Sequence, residues 1–153
     1  MAKFEYAKGR IIEFLQFISY EMKEFDTRYA DKTWEEYEKD RELQKIMERT
    51  VENILTALIE ISGSILTQED IVVENYADAL KKCANLFNLT AEEQQDIEKL
   101  ANIRNRLAHR YLNLKWQVIN MYKTNCNLIQ KLLTCILKRE ESKEGEMERE
   151  GLK

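Results

Sequence analysis

The chain has 153 residues, of which 44% are hydrophobic and 34% charged, and it contains no proline and only four glycines. This length fits one domain with its own core, while the shortage of glycine and proline argues against a turn-rich β fold and against the glycine-rich loops that cradle phosphates. The net charge of −4 excludes a broadly basic surface that coats nucleic acid, although a local basic site is compatible with it.

Two long amphipathic helices are predicted in the first part of the chain. Apolar residues recur every three or four positions from Phe4 to near Asp26, which is typical of one helical stripe. Thr33 and Glu36 then have the spacing of a capping box, which predicts that a second helix begins there and continues to about Ser62. We expect Gly63 to end this second helix.

Three further helices are predicted in the second part of the chain. A shorter apolar stripe covers residues 71–87, and a second capping box at Thr90 and Glu93 opens a fourth helix. Asn113 is the expected cap of a last helix, whose apolar stripe ends at Ile136.

These elements predict an all-α fold, an antiparallel up-and-down bundle of four to five helices. We assign residues 1–138 to the bundle and residues 139–153, a charged and weakly apolar segment, to a tail that frays into solvent. No run of about 18 apolar residues is present, so we expect no membrane span. Three cysteines without a CxxC pair fit a reducing compartment, and the predicted location is the cytoplasm.

The segment from Lys99 to Lys115, KLANIRNRLAHRYLNLK, contains five basic residues and no acidic one, although the whole chain is acidic. It also contains His109, which is the single histidine of the protein. The segment therefore predicts a compact site for an anion. The structural alternative is that these cations only stabilise the negative end of a helix dipole.

The spacing within this segment favours the functional interpretation. On a continuous helix, Arg104 and Tyr111 share a face because they are seven positions apart, and Asn105 and His109 meet because they are four apart. The Asn105 amide can then hold one imidazole nitrogen and set the tautomer. Arginine binds phosphate through paired hydrogen bonds and histidine transfers protons, so these residue types suit phosphodiester chemistry.

The motif RNRLAHRY, with Arg104, His109 after four intervening residues and then Tyr111, resembles the signature of HEPN-domain ribonucleases of the HepT (DUF86) type. The flanking segments ERTVENILTALIEISGSIL and NYADALKKCANLF resemble the same family in order and spacing. The resemblance extends from about Arg10 to Leu137, and it implies that the bundle is HEPN-like.

By this resemblance the protein is a metal-independent endoribonuclease without a cofactor, and the toxin of a toxin–antitoxin module acting on RNA such as tRNA or mRNA. The resemblance implies a homodimer in which two motifs form one composite site. Arg104 and His109 are then the catalytic residues: His109 transfers protons and Arg104 stabilises charge on the phosphate. Asn105 is a supporting residue that orients the imidazole of His109.

The resemblance also implies a partner, a small nucleotidyltransferase that acts as antitoxin. Enzymes of that kind transfer AMP to the tyrosine of the motif, here Tyr111, and thereby silence the nuclease. The neighbouring Arg106 and Arg110 are the candidate residues for binding RNA phosphates. We expect Arg104 or Arg110 to engage the attached AMP.

Two other interpretations of the chain compete with the nuclease. The first is a non-enzymatic helical docking module that binds a nucleotidyltransferase and presents its substrate or inhibits it. The second is a zinc site made by Cys83, Cys126, Cys135 and His109, but the spacings lack the short ligand pairs of zinc sites. Buried thiols are the better interpretation of the cysteines, and no metal is expected.

The acidic run Glu35, Glu36, Glu38 and Asp40 superficially resembles a dicarboxylate site. It alternates with cations at a helix start, so a solvated face favoured by the helix dipole explains it better. Trp34 and Trp116 can stack on bases in principle, but Trp116 falls on the apolar stripe of the last helix and is expected in the core.

Overall fold

The computed structural model describes residues 11–108 and 111–151, and within these ranges it contains helices and no strand. The helices are α1 (Ile11–Arg28), α2 (Trp34–Lys39), α3 (Arg41–Gln68), α4 (Tyr76–Leu86), α5 (Ala91–Arg104) and α6 (Leu112–Gly151), with a 3₁₀ turn at Asn105–Ala108. The predicted all-α bundle is confirmed, with one α-helix more than the upper expectation. The predicted start of the first helix, from Phe4 to Arg10, lies outside the described residues.

Polar contacts between helices that are far apart in the sequence define their relative directions in the bundle. Lys115 near the start of α6 contacts Glu48 near the start of α3, and Arg139 late in α6 contacts Glu69 just after α3, so these two helices run in the same direction. Lys131 of α6 reaches back to Glu93 at the start of α5, which makes α5 antiparallel to α6.

The core forms where these helices face one another. In α1 the buried residues have helical spacing, and they are Ile11, Leu15, Ile18, Met22 and Phe25. The predicted stripe has Phe14 where the structure buries Leu15. Phe25 meets Tyr122 of α6 edge to face, with ring centroids 5.1 Å apart, and both rings are buried. Burying each large apolar side chain contributes about 1.5–3 kcal/mol, so the core drives the bundle together.

The predicted second helix is divided in two at Asp40, and this corrects the expectation of one continuous helix. The capping box of Thr33 and Glu36 is present at the start of α2, as predicted. Asp40 then adopts an extended backbone, and its carboxylate accepts a hydrogen bond from the Leu43 amide at 3.1 Å. Aspartate is among the best N-cap residues, so its local preference ends α2 and begins α3.

The expectation that Gly63 ends the second helix is wrong, because α3 continues through it to Gln68. Gly63 is buried together with its two serine neighbours, and such small side chains let another helix pack closely. The chain leaves the helix through Glu69 and Asp70, and Asp70 has a positive φ of 57°. The Ile71 amide donates to the Leu66 carbonyl at 2.9 Å, which is the backbone pattern that glycine usually provides at a helix end.

Asn88 performs the same function at the end of α4, with φ of 61° and a hydrogen bond from the Leu89 amide to the Ala84 carbonyl at 3.0 Å. Asparagine and aspartate tolerate the left-handed region better than other residues with a side chain. The second predicted capping box follows at once: the Glu93 amide donates to the Thr90 hydroxyl at 3.1 Å. Two polar residues therefore replace glycine in a chain that has little of it.

The last helix differs from its prediction at both ends. It begins at Leu112, so Asn113 is its second residue rather than its cap. It continues through the charged segment to Gly151, and Arg139 and Lys143 both donate to the Gln68 side chain of α3, at 3.1 and 2.6 Å. The first turns of the charged segment therefore pack on the bundle, while the division into residues 1–138 and 139–153 stays a prediction.

Among the helices of the described residues, we find none with the length and apolar content that crossing a membrane requires.

We predict that Cys83 resists alkylation in the folded protein. Its side chain is fully buried, and burial raises the pKa of the thiol from 9.0 to about 12. At pH 8 iodoacetamide should modify the partly exposed Cys135 first, and Cys83 only after denaturant is added, as mass spectrometry of peptides would show. The thiol of the unfolded chain has the lower pKa, so above pH 9 it loses its proton while the buried thiol keeps it. The free energy of unfolding should therefore fall as pH rises from 9 towards 12. Rapid modification of Cys83 in the native state would contradict this burial.

Candidate active site

The motif begins where α5 ends. Arg104 is the last residue of α5, and the backbone tightens into the 3₁₀ turn Asn105–Ala108. Ile103 and Leu107 are buried on either side of this junction, whereas Arg106 is exposed. The apolar side chains thus fix the turn against the bundle, and the cation between them faces solvent.

The expectation that one helix carries the motif from Arg104 to Tyr111 is wrong. α5 ends at Arg104, and Tyr111 lies in the connection before α6, so the argument of a shared helical face does not apply to them. The physical reason is that α5 and α6 are antiparallel, and the chain has to reverse between them. His109 and Arg110 lie outside the described residues, and the contact of His109 with Asn105 stays a prediction.

Arg104 is held by residues of two other helices. Its Nε donates a hydrogen bond to the Thr56 hydroxyl of α3 at 2.9 Å. Its guanidinium carbon lies 5.9 Å from the centre of the Tyr76 ring at the start of α4, which is within the range of a cation–π contact. The hydroxyl engages Nε alone, and a guanidinium has four further N–H groups with which it can bind an anion.

Arg104 lines a groove of about 390 Å³ between α1 and α3. Phe14 and Phe17 form the α1 side of this groove, which we call the α1/α3 groove. The α3 side is mostly polar, and its members are Arg49, Glu52, Asn53, Thr56, Ala57 and Glu60. The groove therefore combines aromatic rings, hydrogen-bonding groups and a guanidinium within one concave surface.

Sequence reasoning missed the α1/α3 groove, although a signal for it exists. Arg49, Asn53, Thr56 and Glu60 are spaced by four, three and four positions, which places a polar stripe along a helix that is otherwise rich in buried apolar residues. Such a stripe marks a face turned away from the core, but only the fold shows that Arg104 lies beside it.

Tyr111 is among the most exposed large hydrophobic side chains of the described residues, with 68% of its surface accessible. Its backbone carbonyl accepts a hydrogen bond from the Lys115 amide at 3.2 Å, so the residue is fixed at the entrance of α6. The phenol is therefore presented to solvent from an ordered backbone position.

Glu48 of α3 anchors the beginning of α6. One carboxylate oxygen lies 3.4 Å from the Lys115 ammonium, and the other accepts a hydrogen bond of 2.6 Å from the buried Tyr37 hydroxyl. Burial, with the hydrogen bond to Glu48 and its charge, raises the pKa of the Tyr37 phenol. Trp116 lies 4.9 Å from the Tyr37 ring and 5.9 Å from Trp34, so the two tryptophans pack together in this cluster rather than standing apart.

The residues of the zinc interpretation have different neighbours. Cys83 lies beside Ser62 and within electrostatic range of Cys135, Cys126 lies beside Tyr122 and Asp26, and His109 lies outside the described residues. Within the ranges that the structure describes, no three His, Cys, Asp or Glu side chains form a group that would hold a metal ion.

In the acidic run, Glu36 and Asp40 act as helix caps. Hydrogen bonds from the Thr33 backbone lower the pKa of Glu36 despite some desolvation. Both carboxylates therefore have structural functions, as the solvated-face interpretation favours.

We predict that Thr56→Val releases the Arg104 side chain. The substitution keeps the shape of Thr56 and removes its hydroxyl, so the Arg104 Nε–H loses its bond to α3. NMR should show exchange of this proton with water about 10-fold faster or more, since hydrogen bonds to charged groups contribute about 1.5–3 kcal/mol. The exposed Arg106 is the control and should not change. Equal exchange at Arg104 in both proteins would contradict the contact.

The sequence was also compared with known protein families and with curated proteins. The sequence profile described as Ribonuclease HepT-like matches residues 18–136, which includes the motif, the α1/α3 groove residues of α3 and most of the bundle. No curated protein sequence matches the chain. Because the profile covers most of the chain, the protein belongs to the HepT-like ribonuclease family.

Proposed function

We propose that this protein is an endoribonuclease that cleaves RNA without a metal ion. The observation that carries the proposal is the family match across residues 18–136, which spans the complete motif from Arg104 to Tyr111. The anchored guanidinium of Arg104 supports it, because a phosphate-binding group is most effective when its position is fixed before the substrate arrives.

In the proposed reaction, the ribose 2′-oxygen of the substrate attacks the adjacent phosphorus, and the bond from phosphorus to the 5′-oxygen breaks. His109 accepts the proton of the 2′-hydroxyl or donates a proton to the leaving 5′-oxygen. Arg104 stabilises the extra negative charge on the pentavalent phosphate, and Asn105 orients the imidazole. The products are a 2′,3′-cyclic phosphate and a free 5′-hydroxyl.

A single chain has one histidine, whereas the reaction needs a proton acceptor and a proton donor. We therefore propose a homodimer in which two subunits contribute their motifs to a composite site. The exposed Arg106 and the neighbouring Arg110 are proposed to contact phosphates of the RNA on either side of the cut.

The purified protein should cut single-stranded RNA in EDTA and leave DNA intact, because the nucleophile is the 2′-hydroxyl. Arg104→Ala and His109→Ala should each lower the cleavage rate by about 10² to 10⁴, without loss of helical circular dichroism. Arg28→Ala is the matched control, since Arg28 is a surface residue paired with Glu24 at the end of α1, and its removal should leave the rate unchanged.

Full activity of both Arg104→Ala and His109→Ala would contradict the nuclease proposal and favour a non-enzymatic docking module. A strictly monomeric protein by light scattering at tens of micromolar, still active on RNA, would refute the composite site.

We further propose that the enzyme is the toxin of a toxin–antitoxin module in the cytoplasm and that a nucleotidyltransferase antitoxin silences it by attaching AMP to Tyr111. The 68% exposure of Tyr111 supports this assignment, since a transferase has to reach the phenol oxygen. In the transfer, that oxygen attacks the α-phosphate of ATP, and pyrophosphate leaves. The attached phosphate can then engage Arg104 or Arg110 and block RNA.

Coexpression with the transferase should add one or more AMP groups of about 329 Da each, detected by intact mass spectrometry. Tyr111→Phe should stay unmodified and active. Tyr20→Phe is the matched control, because Tyr20 is an equally exposed tyrosine on α1, and this variant should still be modified and silenced. AMP found on another tyrosine, or full RNA cleavage by the modified protein, would disprove the switch.

A further inference from the structure

The α1/α3 groove extends the candidate site away from the motif. Arg104 belongs both to the motif and to the groove lining, so a nucleotide whose phosphate contacts this guanidinium has the groove within reach. The volume of about 390 Å³ lies at the lower end of the range for small-molecule sites. The groove is thus large enough for a group of the size of a nucleobase.

Phe17 gives the groove an aromatic surface. Its ring is 42% exposed, although burial of an aromatic side chain of this size is strongly favourable. Phe14, one helical turn before it, is half-buried beside the core and lines the same groove. An exposed ring at the edge of a concave surface is a platform on which a flat base can stack.

The opposite side of the groove offers hydrogen-bonding groups. Asn53 is half-buried, and its amide nitrogen donates to Glu21 of α1 at 3.3 Å, which leaves its carbonyl oxygen as an acceptor. Glu52 is exposed at the rim and adds carboxylate oxygens, which are also acceptors. Asn53 and Glu52 therefore suit a partner that presents N–H donors, and Arg49 on the same side adds N–H donors of its own.

The charged side chains of the groove act differently on the phosphates and on the bases of an RNA strand. The Glu52 carboxylate at the rim repels phosphates, while the guanidinium groups of Arg49 and Arg104 attract them. A neutral base is accepted beside carboxylates when its amino group donates to them, as cytosine does to acidic side chains. A base in the groove can thus donate to Glu52 while its phosphate meets Arg104, which the Thr56 hydroxyl holds in place.

We infer that the α1/α3 groove binds one unpaired nucleobase of the RNA substrate, stacked on Phe17 and placed next to the phosphate that Arg104 holds. This inference rests on the proposed ribonuclease function and adds a base subsite to it. The acceptors of Asn53 and Glu52 suit the amino groups of adenine, cytosine and guanine.

The test measures binding separately from cleavage. Fluorescence anisotropy is recorded with single-stranded 2′-O-methyl dodecamers, which cannot be cut, of adenine, of cytosine, of uracil and of abasic sugar-phosphate. Phe17→Ala should weaken binding of the adenine and cytosine strands about 5- to 100-fold and leave binding of the abasic strand unchanged. Phe17→Trp should keep wild-type affinity, whereas Phe17→Leu, which retains apolar bulk without a ring, should resemble Phe17→Ala.

Tyr20→Ala is the matched control, since Tyr20 is an exposed aromatic residue of α1 outside the groove lining, and it should bind like the wild type. Wild-type affinity of Phe17→Ala, an equal loss with the abasic strand, or absence of binding to any strand would overturn the inference. A change of oligomeric state in Phe17→Ala by light scattering would also overturn it, because the groove would then be a contact between copies.

Cleavage of natural RNA in EDTA is measured in parallel. If the wild type cuts RNA while Phe17→Ala binds normally, the subsite is wrong and the nuclease proposal stands. If Phe17→Ala loses base-dependent binding but the wild type never cuts RNA, the subsite stands and the cleavage proposal fails.

Discussion

The candidate site depends on one constraint, which is that α3 holds the motif segment at both of its ends. Thr56 fixes Arg104 at the end of α5, and Glu48 fixes Lys115 in the first turn of α6. The two anchors are about two helical turns apart on α3. The connection between α5 and α6, where the motif lies, is therefore fastened to a long helix with one face buried in the core. The burial of α3 thus also positions the residues proposed for chemistry.

The sequence alone could predict most of the fold, because its determinants are local. Apolar spacing defines the helices, and Thr33 and Thr90 with their glutamates mark two helix starts correctly. The helix ends were harder to predict, since Asp70 and Asn88 take the conformations usually given to glycine. The continuation of α3 through Gly63 follows from packing against other helices, which a single sequence does not display.

The candidate site could be predicted from the sequence in part. The residue types of the motif indicate its chemistry, and the exposure of Tyr111 fits the role proposed for it. The support of Arg104 was not predictable, because Thr56 is 48 positions away in the chain and becomes its neighbour only in the folded bundle. The α1/α3 groove was missed for the same reason: each polar residue of α3 is unremarkable alone, and the surface exists only once α1 packs beside it.

The paired contacts between α3 and α6 also determine which motions the bundle allows. Glu48 with Lys115, and Gln68 with Arg139, join two helices of the same direction at points separated by roughly 30 Å along the axis of α3. A slip of α6 by one turn, about 5.4 Å, would break both contacts at once. A longitudinal ratchet between these helices is therefore suppressed, and the motif segment that joins α5 to α6 keeps its position against α3.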